Sequence, residues 1–194
     1  NQIQKNEKLL IWNDGGYGDF IYQLRLYKYL QKYLSFSIYS NKLDYLIRDK
    51  NLITKNIDKF EWHLPLLEIP RILNYDPNIY FDYEFNYLIK PSKMYREYEN
   101  HVALTYKTET SIYKSIPFKL LKKLFLEKKN INFLILQKFL NEEEKRFFFK
   151  FKNVELVNGI DNEFIFKDTF NIINSVKFII TIDTAINHIA GYLG

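Results

Sequence analysis

The chain has 194 residues, 47% hydrophobic and 26% charged, with a net charge of +5. That length holds one ordinary domain or two small ones, and the composition excludes a disordered chain. Cysteine is absent, which excludes disulfides and thiolate chemistry and suits a reducing compartment, and no apolar run reaches the roughly 18 residues of a membrane span.

Residues 8–13, KLLIWN, form a short apolar run that ends on glycines and reads as a buried strand. Between Phe20 and Tyr33 the apolar positions Ile21, Leu24, Tyr27 and Leu30 recur at helical spacing, so a helix is predicted there. FSIYS at 36–40 reads as a second strand and KLDYLIRDKNLI at 42–53 as a helix. Strand, glycine turn, helix and strand in that order begin a parallel α/β sheet. Residues 62–80 carry Pro65, Pro70 and Pro77 and read as an irregular connection with a short helix over 66–73.

From His101 the rhythm restarts. HVALTY (101–106), INFLILQ (131–137), VELVN (154–158) and VKFIITID (176–183) read as strands, the last of them buried. Helices are predicted from Pro117 onward, after Asn141 as N-cap with three glutamates behind it, over 166–175, and from Thr184 onward. This alternation predicts a second parallel sheet. A boundary at 95/96 divides the chain into residues 1–95 and 96–194. No signal peptide is visible. The chain begins at Asn1 and stops at GYLG, and it reads as a piece of a longer protein.

Three constellations could carry chemistry. The loop NDGGYGDFI holds Gly15, Gly16 and Gly18, with Asp19 directly behind them. A dinucleotide fingerprint needs G-x-G-x-x-G, and Ile21 takes the third glycine's place. Asp19 would repel a phosphate at the helix entrance but is itself stabilised there. The loop therefore suits a carboxylate placed at the C-terminal edge of a sheet; the plainer alternative is a helix-capping aspartate. In TIDTAINHIAGYLG, Asp183 ends a strand, Thr184 can cap the next helix, and His188 lies one turn on. A helix N-terminus with a hydroxyl and an imidazole suits a diphosphate; the alternative is a capped helix with a partly buried histidine. Lys114, before the helix at Pro117, could neutralise a phosphate or simply be solvated. Metal-site spacings such as H-E-x-x-H are absent, as are a Walker loop and a G-x-S-x-G elbow. The scattered lysines form no nucleic-acid module, but a mildly basic surface favours anionic small ligands or peripheral contact with a membrane.

Taken in order, these motifs resemble the heptosyltransferase-like glycosyltransferases of family nine, with the GT-B fold, in the branch often fused behind tetratricopeptide repeats. The likeness rests on GG-x-GD-x-I at 15–21, HLPLLEIP at 63–70, KSIPF at 114–118, and DT-x-x-x-H-x-A-G-x-x-G at 183–194. The resemblance implies two Rossmann-like halves facing across a cleft, the first on the acceptor side and the second binding the nucleotide sugar. It implies a sugar transferred from a nucleotide-diphosphate donor to a glycan, lipid-linked or protein acceptor, as in lipopolysaccharide biosynthesis, without metal or other cofactor. Asp19 would be the general base, while Lys114, Asp183, Thr184 and His188 would hold the donor. The setting implied is cytoplasmic, at the inner face of the membrane. Against the family pattern the second half is incomplete. Two other readings are a non-catalytic nucleotide-sugar-binding relative and an NAD-dependent oxidoreductase.

Overall fold

Leu9, Leu10 and Ile11 are all buried, as a strand covered on both faces requires. In a computed structural model, which describes residues 8–40, 42–76, 86–108, 112–157, 159–162 and 166–194, they form β1 (Leu9–Trp12) at the centre of a three-stranded sheet. Pro77 with residues 78–80, residues 109–111 of the polar loop, and Asn158 at the end of VELVN lie outside the described residues. The chain divides into two compact units, 1–90 and 91–194.

In the first unit, β1 leads through the glycine loop into α1 (Tyr17–Leu24), which buries Phe20, Ile21 and Leu24. The single helix expected over 20–33 is interrupted at Arg25 and Leu26 and resumes as α2 (Tyr27–Gln31). Leu24, Leu26, Tyr27 and Leu30 are all buried. One straight helix would turn Leu24 and Leu26 about 200° apart, at roughly 100° per residue; the break lets both reach the core. β2 (Phe36–Tyr39) pairs in parallel with β1, setting Trp12 beside Tyr39.

The helix expected over 42–53 is instead two single 3-10 turns, Asp44–Leu46 and Lys50–Leu52. Local side chains bond backbone amides along the segment. Ser40 Oγ accepts from Leu43 N–H, Asp44 Oδ1 from Tyr45 N–H, and Asp49 Oδ1 from Asn51 N–H. The segment expected to be irregular contains a strand, β3 (Trp62–Pro65), parallel to β1 on the side away from β2. Proline misled the reading because it cannot donate to a ladder, but Pro65 ends an edge strand, where it is tolerated. A 3-10 turn, Leu66–Glu68, then runs into α3 (Ile69–Ile72), with Pro70 in its first turn.

The second unit follows the predicted alternation: β4 (His101–Leu104), α4 (Phe118–Glu127), β5 (Asn132–Ile135), α5 (Glu142–Phe148), β6 (Val154–Leu156), α6 (Lys167–Ile173), β7 (Phe178–Ile180) and α7 (Ala185–Leu193). Its strands are all parallel, in the order β6-β5-β4-β7. Leu104, Tyr106, Leu121, Phe125, Phe133, Ile135 and Phe148 build the core between sheet and helices. Ring packing extends it, with Phe118 and Phe147 stacked at 4.4 Å between centroids. β7 is not the buried strand expected. It lies at the sheet edge, with Phe178 63% and Ile180 37% exposed. Residues 92–95 lie in this unit, held by α6 and the turn that follows it. Asn171 Oδ1 accepts from Ser92 and Lys93 N–H at 2.9 and 3.0 Å, and Ser175 Oγ from Tyr95 N–H at 2.8 Å.

Candidate functional site

In parallel α/β sheets, ligands bind beyond the C-terminal ends of the strands. In the first unit that edge carries the glycine loop. Asn13 Oδ1 accepts from Gly15 N–H at 3.2 Å, and Asp14 Oδ1 reaches across to Leu67 N–H at 3.2 Å, tying the loop to the turn after β3. Asp19 is the third residue of α1, and its Oδ2 accepts from Gly16 N–H at 2.9 Å. It is thus the return arm of a cap rather than the capping residue, and it sits where the helix dipole favours an anion. Its side chain is exposed. A Cβ on Gly15 would stand 2.8 Å from Asp19 Cβ, and one on Gly16 would stand 3.3 Å from Oδ2. These two glycines make room for the carboxylate. Gly18 lies within α1, and Ile21 is fully buried against the core.

In the second unit the corresponding edge gathers Lys114, Asp183 and the start of α7. Lys114 Nζ donates to Asp183 Oδ2 at 2.7 Å. The hydrogen bond and charge of Lys114, with a weaker contribution from His188, hold the Asp183 carboxyl below its usual range. Thr184 takes the N-cap position with extended backbone, as expected, but its hydroxyl does not cap. Oγ1 turns to the Ile182 carbonyl at 3.5 Å instead of accepting from the first turn of α7. His188 is half-buried on α7. Lys114, Asp183 and His188 are therefore brought together, and Asp19 stands with the glycine loop in the other unit.

Two polar clusters beside this edge escaped the sequence reading. Glu144 is buried and accepts from Tyr106 Oη at 2.8 Å and from Lys107 Nζ at 2.6 and 2.7 Å. It also completes a capping box with Asn141: Glu144 N–H donates to Asn141 Oδ1, and Asn141 N–H to Glu144 Oε2. The spacing Asn141-x-x-Glu144 announces the box; nothing in it announces Lys107. Asp161, buried and at positive φ, caps α6 from a distance. Its carboxylate accepts from the N–H groups of Asp168 and Thr169 and from Thr169 Oγ1. Thr105 and Thr181 hydroxyls meet at 2.6 Å, joining the strand ends of β4 and β7.

No family model and no curated protein matches the chain. Solved structures do. Escherichia coli heptosyltransferase WaaC with ADP-2-deoxy-2-fluoro heptose aligns over 96% of this chain and 86% of its own, at 13% identity and a TM-score of 0.57. The iron-containing dodecameric glycosyltransferase TibC of enterotoxigenic E. coli aligns over 100% of this chain and 57% of its own, at 11% identity and a TM-score of 0.67. TibC has also been solved in complex with ADP-D-beta-D-heptose, and aligns there at 13% identity and a TM-score of 0.64, over 97% of this chain and 57% of its own. The fold, two parallel-sheet α/β units, is therefore that of the GT-B heptosyltransferases. No described helix is long and apolar enough to cross a membrane.

Proposed function

We propose that the chain is a glycosyltransferase that moves a sugar from a nucleotide-diphosphate donor to an acceptor hydroxyl. The observation that carries this reading is the meeting of Lys114, Asp183 and His188 at the start of α7, on the C-terminal edge of a parallel sheet. An anionic leaving group is stabilised there by the helix N–H groups, the Lys114 ammonium and the His188 imidazole. Solved structures of the same fold hold ADP and ADP-heptose derivatives, which supports a nucleotide-sugar donor. Asp19 is the proposed base: Gly16 N–H holds one carboxylate oxygen, and the other takes the acceptor proton as the hydroxyl attacks the anomeric carbon. The bond from that carbon to the diphosphate breaks, and the nucleoside diphosphate leaves.

The transfer is proposed to run without a metal, on a cell-envelope glycan, lipid-linked or protein acceptor, at the cytoplasmic face of the membrane. Calorimetric binding of ADP-, UDP- and GDP-sugars against NAD tests the donor class. Saturable binding of one nucleotide sugar is expected, and tight NAD binding with none of the sugars overturns the reading. Donor turnover unchanged by EDTA is the matching expectation for metal independence; a rate abolished by EDTA and restored by an added ion refutes it.

A further inference from the structure

The layer formed by α4 and α5 carries the positive charge of the chain. Residues 118–153 hold ten lysines and arginines against four glutamates, a net +6, while the whole chain has +5. Lysines that look scattered in sequence are gathered by the fold. At roughly 100° per residue, Lys119, Lys122, Lys123 and Leu126 share one arc of about 100° on α4, on the side away from the buried Leu121 and Phe125. Phe125 packs on Phe151 at 5.1 Å between ring centroids, and Asn153 Nδ2 donates to the Phe125, Lys128 and Ile131 carbonyls. These contacts lock the end of α4 to the segment after α5. Lys128 and Lys129 therefore share one end of the layer with Lys150 and Lys152, and all four are exposed. Lys129 leads into β5 and Lys152 into β6, so this end lies at the N-terminal ends of the strands, away from Lys114 and Asp183. Glu127 is the only carboxylate in 118–130 and 149–153, and Lys123 faces it at 3.9 Å. Two large apolar side chains stand in water among the cations, Leu126 at 48% and Phe149 at 71% exposure. A helix dipole favours lysines at a C-terminus, but it gives no reason for a leucine and a phenylalanine to be exposed between them.

We infer that this end of the α4–α5 layer docks on an anionic lipid surface. The ammonium groups pair with headgroup phosphates while their stems cover apolar ground, and Leu126 and Phe149 enter the interface. Clusters of about four to eight basic residues on an amphipathic helix are attracted to acidic membranes in this way. The inference gives a surface to the membrane setting proposed above and rests on that setting, not on the identity of the donor. A single-stranded nucleic acid is the rival partner. It could stack on Phe149 but leaves Leu126 without a role.

The test sediments the unmodified chain with vesicles of phosphatidylethanolamine and phosphatidylglycerol in equal parts, and with phosphatidylcholine vesicles. Binding to the anionic vesicles alone is expected, weakening as salt rises. Replacing Lys122, Lys123, Lys128 and Lys129 together by Gln keeps the aliphatic stems and is expected to weaken partitioning at least about a hundredfold. Phe149→Trp places a reporter in the interface, and its emission is expected to shift to the blue on anionic vesicles and to stay put with an oligouridylate. Equal binding to both kinds of vesicle, or to neither, overturns the proposal. So does undiminished binding by the glutamine variant, or a Phe149→Trp emission that responds to the oligouridylate and not to the vesicles. All these side chains are exposed, so the variants should melt like the parent; Leu126→Ser with Phe149→Ser is a second pair, expected to lower vesicle binding with the charges intact. Donor calorimetry contains no lipid, so docking can fail while donor binding succeeds, or stand while donor binding fails.

Discussion

Lys114 and Asp183, 69 residues apart in sequence, meet at 2.7 Å beside the N-terminus of α7. Both side chains are largely in water, at 49% and 70% exposure, so the pair adds little to stability. Its value is placement of an ammonium group. Lys114→Ala is expected to weaken nucleotide-sugar affinity about tenfold or more while the melting temperature shifts by no more than a degree or two. Calorimetry and thermal melts on the same preparation check both halves. A large loss of stability with unchanged affinity would make the pair structural.

Asp19→Asn keeps an oxygen that can accept from Gly16 N–H, so the loop should hold its shape. What the variant lacks is the ability to take a proton. Transfer is expected to fall about 10²–10⁴-fold in kcat, with donor affinity unchanged. Rapid-quench measurement of product, beside a donor titration, makes the comparison. A wild-type rate removes Asp19 from the chemistry.

Glu144 supplies the pH dependence of the second unit. Burial pushes its carboxyl up, but the Lys107 ammonium, Asn141 N–H and Tyr106 hydroxyl together outweigh that and hold it below the usual glutamate range. A carboxyl depressed in the folded state contributes stability above its unfolded value, about 4.3, and loses it as pH falls through the folded value. Tyr106 works from the other side: burial and Glu144 raise its pKa, so stability falls as pH rises past about 10. Glu144→Gln is expected to cost about 1–3 kcal/mol at pH 7 and to flatten the acid limb. Denaturant melts from pH 3 to 7, followed by near-ultraviolet circular dichroism, read both. An acid limb as steep as that of the wild type would contradict the assignment.

Much of this was legible in sequence because it is local. The strand–glycine–helix rhythm fixes the parallel sheets, and Asn141 with its trailing glutamates announces the cap of α5. What escaped depends on partners distant in sequence. β3 is a strand because β1 offers it a ladder despite Pro65. Residues 42–53 have helical apolar spacing, but Ser40, Asp44 and Asp49 bond the nearby amides. Thr184 has a capping residue's chemistry, yet its hydroxyl faces Ile182. The sequence marks Lys114 and Asp183 separately as donor ligands, and only their three-dimensional meeting makes one the counter-charge of the other.

The two motif glycines at opposite ends of the chain should respond differently to the same methyl group. On Gly15, an added Cβ meets Asp19 Cβ at 2.8 Å and Cγ at 3.2 Å, too close to fit unless the carboxylate or the loop moves. Those atoms are the root of the side chain, so rotation about χ1 cannot remove the clash with Cβ. Gly15→Ala is expected to displace Asp19 and to lower kcat far more than it raises KM for the donor, with a stability cost of about 1–2 kcal/mol. On Gly191, within α7, an added Cβ meets nothing within 4 Å. Alanine there removes backbone freedom from the unfolded chain and should stabilise by about 0.5–1 kcal/mol, with donor affinity unchanged. Parallel melts and steady-state kinetics on the two variants decide the matter. Equal kinetic damage from both would mean that Gly15 does not act through Asp19.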